Sequence, residues 1–451
     1  LPTRKPIMPK KKTKKKRQHT SELKTQKSLK TKKSKSQTNV KPEASKSEMA
    51  RRADKAPESP PAVTPLARTR ATFRFTPEAI PLDCMLVSSH PQVVRDAIQK
   101  WAQRIDADPD GFLRAEVVAQ FEMVAERAAD YLELPEGAHP SAWIRQTEST
   151  TVGLAELYNS LRVRPGEEFL TSVHDFFSTR EILEFLARRT GVSARKIELF
   201  EETATATQDE IVASLEREIK PYTRVLALTW VLSSTGLKLP VKAISQLVAR
   251  INETRSAGDR LIFCLDGVHG FGVEDFAFED LGCDFFIAGC HKWLMGPRGT
   301  AIICGRPESW RYVGGTVPSL NPLRFPGGVL PYEYHFALAD AFTLHMDLGK
   351  DVVEKHTVGL ARRLKDGLAS VPGVTVVTPR KRSLSSGIVC CGLADQKPGD
   401  VVDRLRHEHN IRASVSSKDS NRQKHIRFSP SILNTESDID RTLEAMETFS
   451  T

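Results

Sequence analysis

The chain has 451 residues, with 66 Lys and Arg against 56 Asp and Glu, and a net charge of +10. No run approaches the roughly 18 apolar residues needed to span a bilayer, and no apolar stretch follows the basic N-terminus as it would in a secretory signal. Seven cysteines without a Cys-x-x-Cys pair argue against a disulfide framework or a metal site and favour a reducing cytoplasm.

The charge is uneven. Residues 1–70 hold 22 Lys and Arg, 5 Asp and Glu, and no Phe, Trp or Tyr, a net of +17 that leaves −7 for the rest. A segment so poor in apolar groups cannot offset its conformational entropy by burial, so disorder is expected over 1–70. Its Lys-rich runs suit nucleic acid or another polyanion, or serve only solubility. Beyond it, residues 90–105, 114–132 and 149–161 carry apolar side chains at helical spacing, the last opened by hydroxyl residues that cap helices well. Apolar runs at 167–173, 224–232, 260–266, 283–289 and 299–305 read as buried strands, and helical stretches fall at 178–189, 208–219 and 240–254. This alternation predicts an α/β fold with a mostly parallel sheet covered by helices. After residue 350 come a helix (351–369), strands at 374–379 and 386–392, a helix from Gly399, a strand at 424–430 and a last helix, a smaller α+β domain.

Ligands of open α/β sheets gather beyond the carboxyl ends of strands, and the notable polar residues fall there. The run 260–266 ends in Asp266, with His269 close behind; 283–289 leads into Cys290, His291, Lys292 and Trp293; 224–232 leads into Ser233; Ser149, Thr150 and Thr151 open a helix. An acid, a Lys and a helix N-terminus at one rim are what pyridoxal 5'-phosphate (PLP) needs. Its aldehyde takes a Lys amine as a Schiff base, its ring nitrogen takes a carboxylate, and its phosphate takes backbone N–H groups and hydroxyls. Plainer roles stay open for each residue: a surface Lys, a turn-capping Asp, helix-capping hydroxyls. The spacing Gly267-x-x-Gly270-x-Gly272 also suits a dinucleotide loop, but no phosphate-loop helix pattern follows it.

Taken in order, Asp266-Gly-Val-His269, His291-Lys292, Gly296-Pro-x-Gly-Thr and Arg427-Phe-Ser-Pro-Ser-Ile-Leu-Asn434-Thr435 make the sequence similar to a known family. It resembles the class V aminotransferases of the fold-type I PLP-dependent enzymes, which include cysteine desulfurases and isopenicillin-N-epimerase-like proteins. The resemblance covers about residues 85–451. It implies a large PLP-binding domain over 91–345, a small C-terminal domain over 346–451, a segment 71–90 packed on the small domain, and a homodimer. It also implies that Lys292 binds the cofactor and moves the α-proton, Asp266 pairs with the pyridine nitrogen, and His269 lies near the phenolic oxygen. Thr150 and Thr151 would hold the phosphate with His291 beside them, Arg427 would grip the substrate carboxylate, and Phe176, in the stretch from His174 to Thr179, would stack on the ring.

Some positions depart from the family pattern. Gly289 and Cys290 stand where a phosphate-binding hydroxyl often lies, and Ser233 where many members carry Asn. The loop Arg412–Asn421 lacks the Cys that forms a persulfide in one group of desulfurases. Trp293 and the Pro326-Gly327-Gly328 turn look closer to the epimerase-like branch. The expectation is an enzyme acting on an amino acid or amino-acid-like substrate by epimerisation, transamination or elimination. The alternatives are a cysteine desulfurase or C–S lyase, and a non-catalytic nucleic-acid-associated protein using its basic tail.

Overall fold

The computed structural model describes residues 64–76, 78–314 and 330–449. Residues 1–63 of the basic segment and the Pro326-Gly327-Gly328 turn lie outside the described residues. The expectation of disorder does not hold for residues 65–70. Pro65–Arg70 is a helix capped by the Thr64 side chain, and Arg70 donates to the carbonyls of Ile432 (3.2 Å) and Asn434 (2.7 Å). Two long-range bonds to backbone hold this short helix, which composition alone would leave unfolded.

The strands, in chain order, are β1 (Ile80–Pro81), β2 (Ile144–Thr147), β3 (Glu168–Ser172), β4 (Ser193–Ile197), β5 (Thr223–Thr229), β6 (Ile262–Asp266), β7 (Phe285–Gly289), β8 (Ala301–Gly305), β9 (Val374–Val376), β10 (Val389–Leu393), β11 (Ile411–Arg412), β12 (Ser414–Val415) and β13 (Ile426–Phe428). Seven of them form one sheet in the order β2-β8-β7-β6-β5-β3-β4. Pairing is parallel from β7 to β4, while the β7–β8 and β8–β2 pairs are antiparallel.

Side chains alternate across this sheet, and both faces are apolar. Phe169, Val225, Ile262, Phe285 and Ile303 enter one core; Leu170, Leu226, Phe263, Phe286 and Ile302 enter the other. Burial on both faces explains why these strands read as continuous apolar runs. Two strands carry no such run. The edge strand β4 holds Arg195 and Lys196, and Arg195 bridges Glu168 (2.8 Å) and Glu218 (2.7 Å). Charge of this kind protects an open edge. The strand β2 (Ile-Arg-Gln-Thr) pairs only with β8 at the opposite edge.

The helices fall near their expected places, as Gln92–Ala107, Val117–Tyr131, Thr150–Ser160, Phe177–Thr190, Gln208–Glu218 and Val241–Glu253. A second, antiparallel sheet has the order β12-β13-β10-β9. Its core joins Val389, Cys391, Ile426 and Phe428 to Leu360, Leu364, Val401, Leu405, Ile439 and Met446 of the helices Lys350–Leu368, Pro398–His409 and Glu436–Thr448. The segment before Gln92 pairs with this region through β1 and β11, then through Asp83 and Ser429.

The two sheets meet along a polar seam. Thr378 donates its hydroxyl to the Thr235 carbonyl (2.6 Å). Buried Glu274 accepts from Lys238 (2.8 Å), Arg382 (3.1 Å) and Ser386 (2.5 Å).

Candidate active site

All nine residues singled out by sequence line one cavity of about 260 Å³: Thr150, Thr151, Phe176, Ser233, Asp266, His269, His291, Lys292 and Arg427. It lies at the carboxyl ends of β5, β6 and β7, beside the N-terminus of the helix Thr150–Ser160. Met85, Leu86, Ser149, Leu154, Thr229, Val268 and Ser417 complete the wall. Ser149 and Val268 stand inside motifs that the sequence shows, whereas Met85 and Leu86 belong to an irregular segment without a motif, and Leu154, Thr229 and Ser417 depend on how elements meet.

Asp266 ends β6 and is buried; burial pushes its carboxyl up to about 6, against the pull of the Val268 N–H (3.1 Å) and of Lys292. Such a group gains strongly from a cation placed beside it. Thr229 is its neighbour across the β5–β6 pair and is buried. The Thr229 backbone N–H is held by Asp175 (2.5 Å), which also accepts from Thr171 and Ser172, so one buried carboxylate ties the end of β3 to the end of β5.

At the other end of the cavity, Ser149 caps its helix by accepting from the Val152 N–H (3.2 Å). Thr150 accepts from the Gly289 N–H (2.8 Å), which leaves its hydroxyl proton free to donate. A Cβ at 289 would lie 2.9 Å from that oxygen and 3.1 Å from the His291 ring, so a side chain has no room at this position. Thr151 reaches Ser178 (3.4 Å). His291 Nδ1 is buried and has no hydrogen-bond partner among the described residues; burial and Lys292 lower the ring's pKa, opposed in part by a hydrogen bond with the Thr300 backbone. A helix N-terminus, hydroxyls and an unpartnered imidazole nitrogen suit a phosphate.

Lys292 makes no hydrogen bond among the described residues. Burial lowers its amine to about 8, opposed in part by Asp266. Phe176 lines the cavity, whereas His174 is turned away, stacked on Phe200 (3.9 Å between centroids) and accepting from the Leu199 N–H. Gly267, Gly270 and Gly272 have a packing reason: a Cβ on them would strike Phe286, Trp230 and Leu294.

Arg427, on β13, is buried, and burial lowers its pKa. It donates Nε to Ser414 Oγ (3.1 Å) and Nη1 to the Ser233 carbonyl (2.8 Å), with no carboxylate partner among the described residues. Ser233 thus contributes its backbone as well as its side chain. The loop after β12 brings Ser417 to the wall and is held by a 2.8 Å contact between Asp419 and His425. All seven cysteines are buried free thiols, and none lines the cavity.

The sequence pattern of the family Aminotransferase class-V matches residues 83–442. The chain belongs to this family. Isopenicillin N epimerase of Streptomyces clavuligerus is 26% identical over 418 residues, 86% of this chain and 99% of that protein. A probable cysteine desulfurase of Vibrio cholerae serotype O1 is 22% identical, over 72% of this chain and 81% of its own. The apo structure of a cysteine desulfurase from Thermococcus onnurineus NA1 superposes with a TM-score of 0.74 at 20% identity, covering 85% of this chain and 97% of that one, and shows the same fold.

Class V aminotransferases use PLP, and the residues present fit it. A buried polar atom of the wall, His291 Nδ1, has no hydrogen-bond partner among the described residues. A buried acid whose pKa is raised and a buried amine whose pKa is lowered share that wall.

Proposed function

We propose that this class V aminotransferase acts on an amino acid or amino-acid-like substrate, with Lys292 as the residue that binds PLP and moves the substrate's α-proton. Arg427 carries this reading. It is a buried guanidinium without a carboxylate partner among the described residues, in the same cavity as Lys292 and Asp266, and it matches a substrate carboxylate in a bidentate pair. Bound PLP supplies an electron sink for the charge left when a bond at the substrate's α-carbon breaks. Asp266 would keep the ring nitrogen protonated and so maintain that sink. Lys292 Nζ, lowered to about 8, is poised to accept and return a proton near neutral pH. Thr150, Thr151 and His291 would hold the phosphate end, Phe176 would cover the ring, and His269 and Ser233 would serve its phenolic oxygen.

Epimerisation, transamination and elimination share these parts. The cysteine desulfurase alternative needs a thiolate. Cys84 is the thiol whose charge faces Lys292, but burial pushes it up to about 12 and it is committed to the Ser429 carbonyl (3.3 Å). Incubation of PLP-loaded protein with a panel of amino acids, followed by mass spectrometry of the products, selects among the reactions. Sulfide release from cysteine that one Cys→Ala change abolishes would restore the desulfurase reading. Borohydride treatment should fix the mass of PLP on Lys292. A colourless protein whose Lys292→Ala variant binds PLP as well as the parent would sink the proposal.

A homodimer accords with the exposed apolar side chains Leu86, Val87, Val152 and Phe177, which lie at or next in sequence to residues of the cavity wall. A monomer by analytical ultracentrifugation would refute it. Seven unpaired buried thiols accord with a reducing cytoplasm. For the basic segment, deletion of residues 1–61 tests the alternative of a non-catalytic nucleic-acid-associated protein: if activity towards amino acids survives and only salt-sensitive polyanion binding is lost, the segment is an accessory to an enzyme.

A further inference from the structure

Trp293 follows Lys292 in the chain and is buried. Its indole Nε1–H reaches His269 Nδ1 at 3.3 Å. An indole N–H can only donate, so Nδ1 accepts, and a neutral imidazole that accepts at Nδ1 carries its proton on Nε2. The ring is neutral. It is fully buried, and the charged or titratable groups facing it, Lys292, Arg427 and His291, all oppose a second proton. The same ring lines the cavity, and its Nε2 has no hydrogen bond among the described residues.

We infer that Trp293 is a positioning residue for the cofactor site, fixing His269 as the Nε2–H tautomer so that the imidazole offers the cavity a donor and not a lone pair. The inference rests on the reading that His269 faces the phenolic oxygen of PLP. The physical stake is one of sign. A donor stabilises negative charge on that oxygen, whereas an imidazole lone pair repels it. An imidazole without an acceptor or donor to choose between its nitrogens populates both neutral forms. The indole removes that choice. It also fixes the ring from the residue next to Lys292, so the donor and the amine are set by adjacent backbone units.

The test has a readout independent of turnover. In protein labelled with ¹⁵N-histidine, the imidazole nitrogen shifts report which nitrogen carries the proton, and His269→Gln identifies the resonance. The parent should show only the Nε2–H form at His269. Trp293→Phe should show a mixture with the Nδ1–H form. Benzothienylalanine at position 293, which keeps the shape of the indole without its N–H, should do the same if the Phe variant folds poorly. In the PLP-loaded protein, either change should raise the pH midpoint of the visible band by about half a unit, because a donor on the oxygen competes with the proton that the oxygen otherwise shares. The shift should vanish in a His269→Gln background, where the amide brings its own donor.

A parent in the Nδ1–H form, or a tautomer unchanged in both 293 variants, overturns the inference. If His269→Leu, which removes the donor altogether, leaves the band unmoved, the placement of His269 at the phenolic oxygen fails, while the nitrogen shifts still decide the role of Trp293.

Discussion

The backbone N–H of Gly289 meets the hydroxyl of Thr150 at 2.8 Å, and a Cβ on residue 289 would stand 2.9 Å from that same oxygen. One position therefore both orients the hydroxyl and excludes any side chain from the space it occupies. Gly289→Ala should push Thr150 aside and break this bond. The loss of about one hydrogen bond corresponds to roughly tenfold weaker PLP binding, read by fluorescence titration, while the unfolding midpoint changes little. Unchanged affinity would show that Thr150 does not hold the phosphate.

Arg427→Lys keeps the charge and loses the planar fork that Ser414 and the Ser233 carbonyl orient. KM for the amino acid substrate should rise by about tenfold or more, with the visible band of the bound cofactor unaltered. Steady-state kinetics beside an absorbance spectrum separate the two effects.

Lys292 sets a pH dependence whose sign is fixed by burial. Its amine falls to about 8 in the folded chain, against 10.5 for an unburied Lys. Below pH 8 both folded and unfolded chains carry the proton, and the buried charge costs stability in full. Between about 8 and 10.5 the unfolded chain binds more protons, so stability rises with pH and the cost disappears. Lys292→Met should therefore stabilise the cofactor-free protein at pH 7, with a gain that shrinks as the pH climbs towards 10.5. Denaturant melts of both proteins across this range provide the check.

The contact between Asp419 and His425 closes the loop that presents Ser417, and Asp419 also accepts from the Gln423 N–H at 2.8 Å. Asp419→Ala should leave PLP affinity intact, because no phosphate-end residue is touched. It should raise KM several-fold by loosening the wall on the Arg427 side. Equal kinetic constants in the two proteins would place Ser417 outside substrate recognition.

Much of the sheet is readable from the chain because its central strands are buried on both faces. Runs such as Ile262–Asp266 then have no polar alternation to blur them. The strand β4 escapes for the opposite reason: its edge position makes it polar, with Arg195 and Lys196 at the rim. The site divides in the same way. Asp266, Lys292 and Thr150 sit at the ends of strong local patterns, where residue type and position announce a role. Met85 and Leu86 reach the cavity only because their segment is pinned to His291 by the Ser88 N–H (3.0 Å) and to Ser429 by Leu82. Contacts made across 200 residues or more leave no local trace. Arg70 is a similar case, since its hydrogen bonds to Ile432 and Asn434 order a stretch whose composition favours disorder.

The anchoring of Arg427 to Ser233 has a further consequence. The guanidinium is borne by one sheet and braced by the Ser233 carbonyl in the segment that follows β5 of the other, so its place in the cavity depends on how the two sheets are held together. The seam at Thr378, Thr235 and Glu274 ties the same two bodies at a second point, much as a second hinge pin keeps a door square. A substitution in the seam should therefore reset the spacing of Arg427 and Lys292 without touching either residue.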